Sequence, residues 1–176
     1  MGAGLMQSGL EVSVWLSLGS NLGDRSLMLA QARQALDALP HFAIKRISRE
    51  LPNPPLLEPC QGEFLNQIVV GASRAAAPAL LQQIKDLERQ LGRKKRARYG
   101  PREIDIDILV FGDHCQNHPE LCLPHPGLVD RPYLHQLCAQ MGLDWKAVLA
   151  DARRRGWSVP EAAVRTDRST MAGVLQ

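Results

Sequence analysis

Aromatic residues are scarce. Phe, Trp and Tyr make up 5% of the 176 positions, so any core must be mostly aliphatic. No apolar run approaches the roughly 18 residues a membrane span requires. The first ten residues lack the charged start and long apolar block of a secretory signal, and they read as a disordered extension. No charge of one sign dominates: 21 Lys and Arg face 18 Asp and Glu, a formal net charge of +3. That excludes a histone-like polycation but leaves room for a local basic site. Cysteine is sparse as well. Cys60, Cys115, Cys122 and Cys138 form no Cys-x-x-Cys pair, and Cys115 and Cys122 with His114 and His118 match no standard zinc spacing. Reduced thiols in a cytoplasmic protein are the reading.

What is present fits one globular domain. Hydrophobic residues at 45% and charged residues at 22% are ordinary globular values. We expect an extension over 1–10, one domain over 11–155 and a loosely ordered tail over 156–176. Val12 to Leu18 reads as a buried strand. Asp24 is a candidate N-cap for a helix whose apolar positions are Leu29, Ala32, Leu36 and Leu39, stopped before Pro40. Phe42 to Ile47 reads as a second strand. Leu51 to Gly62 holds four prolines and is expected to be a stiff loop with no regular element. Phe64 to Ala72 is a third strand. A second helix opens at Pro78 and ends at Gly92, and Ile104 to Phe111 is a fourth strand. The order βαββαβ predicts an α+β fold of ferredoxin-like type: an antiparallel sheet with helices on one face. Tyr133–Met141 and Trp145–Arg153 read as a C-terminal helical extension. The other sheet face must be covered or used.

The chemistry concentrates between Arg93 and Leu109. Residues two apart on a strand share a face, so Asp105 and Asp107 stand side by side, and Ile104, Ile106 and Ile108 point to the core. Two carboxylates about 7 Å apart repel each other, and Asp is disfavoured in strands. A hard divalent cation such as Mg²⁺, completed by substrate phosphates, would compensate them. Arg102 lies three residues before Asp105, behind Gly100-Pro101. From Arg93 to Arg102 there are six cations and no acid: Arg93, Lys94, Lys95, Arg96, Arg98 and Arg102. Outside this stretch acids outnumber bases, so the positive excess is local. Carboxylates for metal beside guanidinium groups for phosphate suit phosphoryl-type transfer, and the basic loop can close over a polyanion. Gly19-Ser20-Asn21-Leu22-Gly23 lacks a P-loop ending and reads first as a βα turn.

These residues resemble 6-hydroxymethyl-7,8-dihydropterin pyrophosphokinase, a folate-pathway family. The resemblance rests on Gly100-Pro101-Arg102-x-x-Asp105-x-Asp107, the Gly-Ser-Asn start at Gly19, Pro54-Pro55-Leu56, Phe64-x-Asn66 and Pro124-His125 before Arg131. It implies transfer of pyrophosphate from ATP to the pterin hydroxymethyl group, with release of AMP. It implies two Mg²⁺ ions on Asp105 and Asp107, and phosphate contacts from Arg93 and Arg102. Lys95 stands where the family has a second lid arginine, and Arg98 lies in the same loop. His125 and Arg131 match ATP-contacting positions. Asn53, Leu56, Phe64, Asn66 and Tyr133 match pterin positions, and Tyr99 stands where a lid tryptophan is usual. Asp107 is a candidate to accept the hydroxyl proton. Beyond ATP and the pterin, neither nucleic acid nor membrane is expected as a partner, and a monomer suffices. Two alternatives stay open: a diverged homologue with a binding or scaffolding role, and an RNA-binding module on the same fold.

Overall fold

The computed structural model describes residues 10–55, 61–94 and 100–160. Strand β1 (Val12–Ser20) leads to helix α1 (Arg25–Asp37), capped by the Asp24 carboxylate, which accepts the Leu27 N–H at 3.0 Å. Strands β2 (Phe42–Ile47), β3 (Leu51–Asn53) and β4 (Phe64–Ser73) follow. Helix α2 (Ala77–Gln90), with Pro78 in its first turn, returns the chain to β5 (Asp105–Phe111). A small hairpin, β6 (Gln116–His118) and β7 (Leu121–Leu123), comes next. Short helix α3 (Gly127–Asp130), α4 (Pro132–Gln140) and α5 (Trp145–Arg154) complete the described chain. The fold is α+β. Its main sheet is antiparallel in every pairing and runs β2-β4-β1-β5, with β3 also on β4.

Alternation along the strands builds two cores. Val14, Leu16 and Leu18 of β1 face the apolar stripes of α1 and α2 (Leu29, Leu36, Leu80, Ile84 and others). Ile104, Ile106 and Ile108 join this core, as their spacing predicts. On the opposite face, Ile68, Val70, Leu109 and Val110 pack against Leu128, Leu134, Leu137 and Leu149 of α3, α4 and α5. Leu109 and Val110 reach the same core because the β1–β5 register shifts between Trp15 and Leu16. A bulge of this kind moves the alternation by one residue. Helices thus lie on both faces of the sheet. The C-terminal helices cover only one end of the second face.

The segment expected to be wholly irregular contains β3, with Pro52 opposite Leu65 of β4. β3 pairs on one side only, and an edge position tolerates a residue without an N–H. The β6–β7 hairpin and α3 add elements beyond the expected order, each too short to show periodicity in the sequence. Trp157, placed at the start of a loose tail, is buried in the second core. The remaining tail from 161 and the extension up to residue 9 lie outside the described residues. Among the described residues, no helix is long and apolar enough to cross a membrane.

The second core should be as essential as the first. Leu134 of α4 has no exposed surface. Leu134→Ala should lower unfolding free energy by about 2–5 kcal/mol, read from urea denaturation, because truncation leaves a cavity against the sheet.

Candidate active site

The uncovered end of the second sheet face forms the floor of a cleft of about 960 Å³. The floor is polar where the covered end is apolar. β1 contributes Ser17 and Gly19, β4 Phe64 and Asn66, and β5 Asp105 and Asp107. Asp105 lies opposite Gly19, and Asp107 opposite Ser17. Gly19 also faces Asn66 across the other ladder. A Cβ on Gly19 would come within 3.0 Å of Asn66 Oδ1, so its absence leaves that side chain its place over β1; Phe64 Cδ1, at 3.7 Å, would be in ordinary contact.

The two carboxylates are held by different cations. Asp105 meets Arg102 Nη1 at 2.6 Å and Arg93 Nη1 at 2.7 Å. Asp107 Oδ2 lies 3.5 Å from Arg131 Nη1 and 3.8 Å from His125 Nε2. Burial and the neighbouring Asp107 push the Asp105 carboxyl above the usual range, despite its two arginines. Burial also pulls Asp107 upward, but His125, Arg131 and the other arginines outweigh it and hold the carboxyl below its ordinary value. Burial lowers the His125 imidazole and favours its neutral form. Tyr133 is pushed up by burial, and its hydroxyl accepts a hydrogen bond from Arg131 Nη1 at 3.3 Å.

The structure brings most of the expected residues together. Arg93, Arg102, Asp105 and Asp107 share the cleft with His125 and Arg131. Asn53, Phe64, Asn66 and Tyr133 line its other part. Asn66 is buried, and among the described residues its Nδ2 has no hydrogen-bond partner. A buried amide left in that state is costly unless a ligand completes it. Leu56, Lys95, Arg98 and Tyr99 lie outside the described residues.

Sequence reasoning missed two residues that shape this site. Glu88 of α2 is buried beside Arg93, pairs with it, and accepts the Ile106 N–H at 2.7 Å on the free edge of β5. Its signal was present: Glu88 falls four residues after Ile84, within an otherwise apolar stripe. Asn21 is also buried. Its Oδ1 accepts the Arg102 N–H at 2.7 Å, and its Nδ2 donates to Gln61 Oε1 at 3.0 Å and Gly62 O at 3.3 Å. The Gly-Ser-Asn turn is therefore a clamp between two cleft loops, a role that spacing does not encode.

Among the described residues, no group of three or more His, Cys, Asp and Glu side chains is arranged to hold a metal alone. Mg²⁺ does not require one, because it takes one or two carboxylates together with water and substrate phosphates. The hard oxygens of Asp105 and Asp107, kept close by arginines, fit such an ion.

Comparison with known proteins points the same way. The family profile of 7,8-dihydro-6-hydroxymethylpterin-pyrophosphokinase matches residues 15–142. A 2-amino-4-hydroxy-6-hydroxymethyldihydropteridine pyrophosphokinase of Aquifex aeolicus is 37% identical over 121 residues, covering 69% of this chain and 74% of that protein. Similarly named proteins of Methylorubrum extorquens and Bacillus subtilis are 34% and 31% identical. These cover 74% and 72% of this chain and 82% and 78% of their own lengths. A folate synthesis bifunctional protein of Chlamydia trachomatis is 33% identical over 137 residues, 30% of its length.

The buried Glu88 gives a pH test. Burial first, then Asp105, raises its pKa from 4.5 to about 7, against the pull of Arg93 and the Ile106 N–H. A carboxyl raised on folding binds more protons in the native state, so stability falls as pH rises between the unfolded and folded values. Between about pH 4.5 and 7, the wild type should lose on the order of 3 kcal/mol relative to Glu88→Gln. Urea midpoints of both proteins across that window measure it.

Proposed function

The chain belongs to the 7,8-dihydro-6-hydroxymethylpterin-pyrophosphokinase family, and from that premise we propose how its cleft performs the family's reaction. That reaction is pyrophosphoryl transfer from ATP to hydroxymethyldihydropterin in folate synthesis, and it is the activity of this chain. The observation that carries the site assignment is the pair Asp105 and Asp107 on the cleft floor, ringed by Arg93, Arg102 and Arg131. The strand order supports the ferredoxin-like reading of the sheet, with one domain running from residue 11 to at least Trp157.

Asp105 and Asp107 would hold two Mg²⁺ ions, which supply charge neutralisation for the triphosphate and acidify the pterin hydroxyl. Arg93 and Arg102, now paired with Asp105, would take phosphate oxygens once metal ions occupy the carboxylates. On the far side of the carboxylates, His125 and Arg131 would take the remaining phosphates of ATP. Phe64 and Tyr133 would flank the flat pterin, and the Asn66 amide, whose Nδ2 has no partner among the described residues, would read its edge. The hydroxymethyl oxygen attacks the β-phosphorus, the bond from that phosphorus to the bridging oxygen breaks, AMP leaves with that oxygen, and the hydroxyl proton passes to water. The protein's share is alignment and electrostatic stabilisation. The depressed pKa of Asp107 suits an ionised ligand better than a general base. Two carboxylates on the open sheet face also argue against an RNA ligand that binds without Mg²⁺, since without metal they would repel its phosphates.

Incubation with ATP, Mg²⁺ and 6-hydroxymethyl-7,8-dihydropterin should yield AMP. ADP instead would mean ordinary kinase chemistry, and no nucleotide product would favour a binding or scaffolding role. Asp105→Ala should abolish turnover with an unchanged circular dichroism spectrum. Asn66→Ala should weaken pterin binding by about tenfold or more, on the scale of one lost buried hydrogen bond, and leave ATP binding nearly untouched. Equal weakening of both ligands in calorimetry would refute the pterin assignment.

A further inference from the structure

We propose that Gly127 is a positioning residue for the ATP side of the cleft: its missing side chain allows Arg131 and His125 to be placed together against Asp107. The inference rests on the assignment of His125 and Arg131 to ATP made above.

Gly127 is buried at the start of α3. A Cβ there would fall 2.8 Å from Arg131 Nε, 2.9 Å from Arg131 Cδ and 3.0 Å from His125 Nδ1. Ordinary contacts to a Cβ are longer, so something would have to move. All three atoms belong to side chains of the site rather than to the backbone. The backbone of Gly127 is not in the left-handed region, so alanine is sterically acceptable to the main chain itself. Strain from a methyl group would therefore fall on the Arg131 and His125 side chains, with little on the fold.

The same residue orients both neighbours through its backbone. Its N–H donates to His125 Nδ1 at 3.0 Å. In the neutral imidazole this leaves the proton on Nε2, the nitrogen that faces Asp107. Its carbonyl accepts the Arg131 N–H at 3.0 Å. The Arg131 guanidinium is in turn shared between Asp107, at 3.5 Å, and the Tyr133 hydroxyl, at 3.3 Å. Displacing Arg131 at Cδ and Nε would carry the guanidinium away from both. A methyl group at 127 should thus weaken the ATP side most, because the Tyr133 ring, which would flank the pterin, loses only a hydrogen bond at its hydroxyl.

Gly127→Ala in the full chain tests this. The expected result is an unchanged melting temperature, a KM for MgATP raised about tenfold and a pterin KM within about twofold. In an Arg131→Ala background, Gly127→Ala should add markedly less, since the displaced group is gone. An unchanged KM for ATP, an undiminished effect in the Arg131→Ala background, or a loss of thermal stability on the scale of a core truncation would each overturn the proposal. If Arg131→Ala and His125→Ala both leave the KM for ATP unchanged, the ATP assignment falls and this inference with it.

Discussion

Two like charges on one face of an edge strand are the constraint around which the site is organised. Asp105 and Asp107 cannot move apart, because the strand fixes both on the floor of the cleft. Their repulsion is met by guanidinium groups from separate parts of the chain: Arg93 after α2, Arg102 before β5 and Arg131 after α3. Glu88 adds a third carboxylate close by, so Arg93 must serve two anions at once. The result is a cleft of nearly balanced charge in which each of these arginines already has a carboxylate partner.

The sheet makes this arrangement affordable by dividing one face into two ends. Where Ile68, Val70, Leu109 and Val110 lie, α3, α4 and α5 close over them and exclude water. Further along β1, β4 and β5, the same face carries Ser17, Gly19, Asn66, Asp105 and Asp107 and stays open. Apolar burial at one end therefore holds rigid the strands that present charge at the other. The loops at the open end are tied to each other by Asn21, which joins Arg102 to Gln61 and Gly62. His125 is seated on β5 by its own N–H, which donates to the Leu109 carbonyl at 2.8 Å.

Long elements were legible because periodicity accumulates over many residues. β2 occupies Phe42–Ile47 as the sequence implies, and α1 and α2 each shift by only one or two residues. Short ones were not. In β3, three residues including Pro52 look irregular until β4 supplies their partners. Trp157 carried no periodic signal, and its burial follows from the position of α5 against the sheet.

The local pattern of side chains by itself determined the α+β element order, the shared face of Asp105 and Asp107, and the concentration of positive charge before them. Those properties depend on neighbours a few residues apart, for which strand and helix geometry is sufficient. Only the tertiary structure decided which arginine serves which carboxylate, that Glu88 sits buried beside Asp105, and that Gly127 lies directly against the Arg131 and His125 side chains. Each of these depends on contacts between elements distant in the chain or on space left at a crossing, and such distances emerge only when the sheet, its loops and the C-terminal helices pack together.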